Sequence, residues 1–184
     1  MALSEYVRWI RSHVGSARIL LPSASVLIFD DRGRLLVARP HGRDTWVAPG
    51  GAVDPGETPA DAAIRESFEE TGLHVEITGV FGVFGGPDFA VDYPNGDSAD
   101  YVMTTYTARI IGGSLEPQDG EIAEMRFVDH KELEALPLAH WARLVLPHAF
   151  EAKPDPWWLR PSPGFQRPQK ANTTAPASST IETA

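Results

Sequence analysis

The chain has 184 residues, 42% of them hydrophobic, with 25 acidic and 16 basic side chains and a formal charge of -9. That size supports one sizeable core, and the acidic balance argues against duplex nucleic acid or an anionic membrane as partner, since both call for a basic footprint. Cysteine is absent, which removes disulfides, thiolate nucleophiles and cysteine metal sites and fits a reducing, cytoplasmic setting. The first residues, MALSEYVRWIRSHVGS, are charged throughout, and no apolar run approaches the about 20 residues a membrane helix needs. A soluble protein is expected.

Ser4 to Gly15 reads as a helix: Ser4 can cap it, Tyr6, Val7, Trp9, Ile10 and Val14 recur at helical spacing, and Gly15 can stop it. SASVLIF (Ser23–Phe29) and RLLVAR (Arg34–Arg39) are apolar runs split by DDRG, where Gly33 supplies the positive φ of a tight reversal, so they predict a β-hairpin. TWVAPGG (Thr45–Gly51) predicts a short strand entering a glycine turn. A helix follows over about Pro59–Thr71, capped by Thr58, opened by Pro59 and Asp61 and stopped by Gly72. The run His74–Gly86 predicts a strand with bends or bulges at its glycines. Phe89–Ile111 contains two extended arms around PNGD, a hairpin signal, and Ala123–Asp129 a further strand. Asp129 and Glu132 form a capping-box pattern, and Leu138–Ala152 predicts a last helix broken or kinked at Pro147. From Arg160 the chain is rich in Pro, Ser and Thr and predicts a disordered tail. The expected organisation is a helix and lead-in over 1–20, one α/β sandwich with a mixed sheet over 21–159, and the tail over 160–184.

On the Pro59–Thr71 helix, Glu66, Glu69 and Glu70 stand at i, i+3 and i+4 and share a face, while Ala60, Ala63, Ile64, Ser67 and Phe68 are expected to pack on the sheet. Crowded carboxylates near the negative end of a helix are unfavourable by ~0.3–1 kcal/mol, a penalty a hard divalent cation removes. A plain solvated acidic face is the competing reading of three acids taken alone.

Gly51, Glu57, Arg65, Glu66, Glu69, Glu70, Gly72 and Leu73 fall in register on G-x5-E-x7-R-E-U-x-E-E-x-G-U, with U a bulky apolar residue. The segment therefore resembles the box of the Nudix hydrolase family. Ser67 departs from the pattern where a bulky residue is usual, and Ala48 replaces the leucine usual in the preceding turn. The resemblance implies a Nudix-type α/β/α sandwich and hydrolysis of a pyrophosphate bond in a nucleoside diphosphate linked to another group, or in a nucleoside triphosphate. It implies Mg²⁺ or Mn²⁺ held by Glu66, Glu69, Glu70 and the Gly51 carbonyl, with Glu69 and Glu70 catalytic. Glu57 and Arg65 are then orienting residues. A further acid from a loop outside the box is expected as general base or extra ligand; Glu121 is favoured and Asp119 is second. Arg39 and Arg43 can meet phosphate, and Trp46, Phe84 and Phe89 can stack on a base, with surface and core roles as the respective alternatives. Pro87 lies near the offset of a proline found in ADP-ribose-cleaving members. The implied partner is a small nucleotide, and a homodimer is left open. A catalytically silent, nucleotide-sensing domain of the same fold is the alternative, although such domains usually lose box glutamates that this chain keeps.

Overall fold

The computed structural model describes residues 4–118, 120–151 and 156–158. Asp119 and the expected tail from Arg160 lie outside the described residues. The elements run α1 (Glu5–Val14), β1 (Ile19–Phe29), β2 (Leu35–Pro40), β3 (Gly50–Ala52), α2 (Pro59–Thr71), β4 (Leu73–Phe84), β5 (Ala90–Asp92), β6 (Ser98–Gly113), β7 (Ile122–Val128), α3 (His130–Glu134), α4 (His140–Val145) and β8 (Trp157–Trp158). One mixed sheet has the order β7-β2-β1-β6-β4-β8, with β3 added to β1 and β5 to β6. Three apolar clusters form on it: one closed by α2, one containing residues of α3 and α4, and a smaller one under α1; the first two make the α/β/α sandwich.

The β1–β2 hairpin turns at Gly33 (φ 73°) but pairs only at Phe29 and Leu35. Beyond that point the strands part. β2 runs antiparallel to β7, and β1 runs parallel to β6 from Ile19–Ala99 to Phe29–Arg109. This long parallel pair makes β1 a central strand, which is why Val26, Leu27 and Ile28 are all fully buried. β1 also begins at Ile19, ahead of the expected Ser23. The TWVAPGG strand forms only in part: Val47 bridges Ala38 and Trp46 bridges Leu138 singly, and the ladder resumes at Gly50. β4 carries register shifts at His74/Val75, Ile77/Gly79 and Val80/Gly82, two of them at glycines as expected. α4 stops at Val145 and a 3-10 turn over Leu146–Phe150 takes up Pro147.

α2 is capped as the sequence predicts, with a reciprocal box between Thr58 and Asp61. Its buried face differs from the expected one. Ala62, Ala63, Ser67, Glu70 and Thr71 face the sheet, whereas Ile64 and Phe68 are 41% and 38% exposed. The helix is rotated so that its small residues meet the sheet, and Phe68 instead stacks on His74 at 4.7 Å. Ser67 loses no hydrogen bond by burial, since its hydroxyl donates to the Ala63 carbonyl at 2.7 Å.

Gly72 ends α2 in the left-handed region (φ 74°), and a Cβ there would overlap the Ser114 and Glu116 carbonyls. Gly72→Ala is therefore expected to cost at least ~2 kcal/mol from the φ penalty and the clash together. Urea unfolding measures it, and an unchanged midpoint would show that the loop at 114–116 yields freely.

Candidate active site

The glycine turn lies against α2. A Cβ on Gly51 would overlap the Glu66 carboxylate, so any larger residue there would push that side chain from its place. Glu70 is 5% exposed, and its Oε2 accepts the Gly50 N–H at 2.9 Å. The three glutamates thus do not share one outward face. Glu70 points at the sheet edge, and Glu66 and Glu69 flank it, because the helix is rotated toward its small residues.

Arg65 organises the rest. Its Nε donates to Glu57 Oε1 at 2.6 Å and Nη2 to Glu57 Oε2 at 3.0 Å, a two-pronged pair. Nη1 donates to Glu66 Oε1 at 2.8 Å and to Glu69 Oε2 at 2.9 Å, and Nη2 also reaches the Ala52 carbonyl at 3.1 Å. Every N–H of the guanidinium is used. Arg65 and Glu57, expected as orienting residues, are thus bonded to each other. Hydrogen bonding to Arg65 holds the Glu57 carboxyl below its usual range, and Arg65 is raised in turn, chiefly by Glu57.

Burial pushes the Glu66 carboxyl up to about 7; Arg65 opposes this, and the charges of Glu69 and Glu121 add to it. The fold therefore brings Glu121, fifty-five residues further along the chain, into the electrostatic field of the helix carboxylates. Its backbone carbonyl accepts the His41 N–H at 2.8 Å, which ties the acidic loop to the end of β2. Three carboxylates, Glu57, Glu66 and Glu69, thus bond one guanidinium, while Glu121 adds its charge to the field at Glu66. Glu66 Oε2 and Glu69 Oε1 accept no hydrogen bond from the described residues. Oxygen-only donors with surplus negative charge and unused lone pairs fit a hard divalent cation. Among the described residues no three acidic or histidine side chains converge as a ready-made cage, since Arg65 and the Gly50 N–H occupy the facing oxygens.

A cleft of about 430 Å³ opens beside this cluster, bounded by Gly50, Gly51 and Glu70 at one end and by Phe89, Tyr93 and Trp141 farther along. Arg43 lines it, with its guanidinium carbon 5.6 Å from the Tyr93 ring centroid. Arg39 is not among the lining residues; it pairs with Glu124 at 3.1 Å and lies over Trp46. Trp46 is 4% exposed, with Arg126 4.6 Å above its ring. Its place is the core, where it supports cations and presents no open face to a base. Phe84 and Phe89 are likewise buried, stacked on each other at 5.8 Å. Sequence reading missed Tyr93, Tyr101 and the Asp88–His140 contact (3.1 Å) at the cleft. The Asn95-Gly96 turn signal could have found the tyrosines, since it folds their two strands together; His140 carries no local signal.

A mixed sheet with a glutamate-bearing helix docked on a glycine turn defines a class. The family model for the NUDIX domain matches residues 20–149, and the chain belongs to the Nudix family. It is 36% identical over 66 residues to a putative 8-oxo-dGTP diphosphatase of Bacillus subtilis, covering 36% of this chain and 44% of that protein. It is 43% identical over 53 residues to an RNA pyrophosphohydrolase of Yersinia enterocolitica, covering 29% of this chain and 30% of that one. The chain thus spans less than half the length of these curated relatives. Among solved structures, a MutT protein from Bacillus halodurans superposes with a TM-score of 0.59 at 23% identity over 72% of this chain and 83% of its own. An ADP-ribose pyrophosphatase from Streptococcus suis gives 0.57 at 22% over 76% and 96%. At these identities the structural likeness shows the fold. No helix among the described residues is long and apolar enough to cross a membrane.

Arg65→Lys keeps the charge but replaces a five-donor fork with one nitrogen. It is expected to lower stability by ~1–3 kcal/mol, because partly buried carboxylates lose hydrogen bonds. Denaturant unfolding reads the change; a loss within ~0.5 kcal/mol would show that charge alone suffices.

Proposed function

We propose that this chain is a divalent-metal-dependent pyrophosphohydrolase. It cleaves a phosphoanhydride bond in a nucleoside diphosphate linked to a second group, with a nucleoside triphosphate as the other substrate form. One observation carries this reading: Arg65 gathers Glu57, Glu66 and Glu69 beside Gly51, and Glu70 closes on Gly50, at the end of an open cleft. The names of the similar proteins include nucleoside triphosphate, RNA and ADP-ribose chemistry, and the feature common to them is the phosphoanhydride link.

Glu66, Glu69, Glu70 and the Gly51 carbonyl would hold Mg²⁺ or Mn²⁺. When bound, such an ion neutralises phosphoanhydride oxygens and lowers the pKa of an attacking water. Arg65 holds Glu66 by Oε1 and Glu69 by Oε2, which leaves one oxygen of each carboxylate for the cation. Glu121, on the loop facing the helix, is the proposed proton acceptor, since the helix glutamates are committed to the cation. Arg43 is the proposed phosphate contact, being the one guanidinium among the cleft-lining residues. Duplex nucleic acid is not a proposed partner of so acidic a chain, and the proposed setting is the cytoplasm.

The test is release of phosphate-containing products across a nucleotide panel with Mg²⁺, Mn²⁺ or a chelator. Glu69→Gln and Glu70→Gln preserve size, and the Gln carbonyl can still accept the Gly50 N–H, so both variants should fold. Their kcat should fall at least about a hundredfold, and chelation should abolish turnover. Wild-type rates in both variants would sink the metal-site reading. Nucleotide binding without turnover would instead indicate a sensing domain.

A further inference from the structure

Helix α1 precedes the segment matched by the family model, yet it is built into the cleft wall. Val7 is 3% exposed and packs with Leu21 and Ala99, and Ile10, Ala52, Tyr93 and Tyr101 pack around that cluster. Arg11 fastens the helix to the β5–β6 turn. Its Nη2 donates to the Ser98 carbonyl at 2.8 Å, and its Nε stands 3.7 Å from Asp97. Nη1 donates to the Ala17 carbonyl at 2.6 Å and the Gly15 carbonyl at 3.1 Å, so the same side chain also closes the end of α1.

That hairpin presents two tyrosines to the cleft. The hydroxyls of Tyr93 and Tyr101 are 2.6 Å apart, and both residues line the cleft with Gly51 and Ala52. Two hydroxyls joined by one hydrogen bond retain one O–H donor, and no acceptor for it occurs among the described residues. Burial pushes the Tyr101 phenol far above its usual value, so that hydroxyl keeps its proton. Arg43 lies over the Tyr93 ring and has no carboxylate partner among the described residues. The wall therefore offers a spare donor and a π-face now covered by a mobile cation side chain, backed by apolar Val47, Phe89 and Met103.

We infer that α1 is a specificity element: through Arg11, Val7 and Ile10 it holds the Tyr93–Tyr101 pair as a wall on which a flat, acceptor-bearing ring of the substrate packs as Arg43 leaves the Tyr93 face for the phosphate. The identification of that ring as a nucleobase rests on the hydrolase reading. A base has a face for Tyr93 and ring nitrogens or carbonyls for the spare O–H. Tyr93 touches the ring; Arg11 and Ile10 are positioning residues that act through it.

Binding of AMP, GMP, CMP and UMP by calorimetry, with ribose 5-phosphate as the ring-free control, tests this without turnover, since none contains a phosphoanhydride. Tyr93→Leu should weaken the best-bound monophosphate about tenfold and leave ribose 5-phosphate unchanged. Tyr93→Phe, which keeps the ring and loses the hydroxyl, should cost about threefold. Arg11→Gln should show the same ring-selective loss, and in turnover should raise KM with kcat within about twofold. If Arg11→Gln does not fold, Ile10→Ala trims the same contact and decides in its place. Wild-type binding that ignores the ring, a Tyr93→Leu variant that binds normally, or a parallel loss for ribose 5-phosphate would each overturn the wall. Ring-selective binding unchanged in the α1 variants would overturn the role of the helix. Absence of hydrolysis on every phosphoanhydride would overturn the hydrolase reading and leave these binding results standing.

Discussion

The site depends on a charge imbalance that one arginine makes tolerable. Glu57, Glu66 and Glu69 would repel one another, and Glu66 is also largely desolvated. Arg65 meets all three with its planar fork and anchors itself on the Ala52 carbonyl of β3. A lysine cannot span these acceptors, because it is a point charge on a flexible stem. The arrangement leaves a net excess of carboxylate oxygen at one end of a cleft, which is the electrostatic condition for capturing a divalent cation.

That geometry requires close contact between helix and sheet. α2 buries alanines and a serine, so its axis comes near enough for Glu70 to reach the Gly50 N–H and for Glu66 to lie against Gly51. Ser67, which departs from the family pattern, belongs to this small-residue face and satisfies its hydroxyl within the helix. The sheet answers with β3, a three-residue strand paired to β1. β1 is itself held along its full length by β6. Carboxylate geometry at the helix is in this way fixed by the central strands of the fold.

The cleft has a different origin. Its far wall comes from the β5–β6 hairpin, stiffened from behind by α1 through Arg11 and Val7, and its rim from α4 through His140. The carboxylate cluster and the hairpin wall are thus carried by separate elements that meet at Ala52 and Gly51.

Much of this was legible in the sequence. The caps Thr58 and Gly72, the hairpin glycines, the bulged β4 and the register of Glu57, Arg65, Glu66, Glu69 and Glu70 follow from local backbone preferences and fixed spacing, which are properties of neighbouring residues. The rotation of α2 was not legible: Ile64 and Phe68 look like core residues by hydrophobicity, and only the nearness of β1 and β3 selects Ala62, Ala63 and Ser67 instead. Trp46 is similar, an aromatic beside the glycine turn that packing draws into the core under Arg126. Tyr93 with Tyr101, Arg11 with Ser98 and Glu121 with Glu66 join segments that only strand pairing brings together. Sequence determined the chemistry available on α2, because a helix fixes the relative positions of its own residues. Tertiary structure decided which of those groups face each other and what surrounds the cleft, because such contacts depend on the register of strands far apart in the chain.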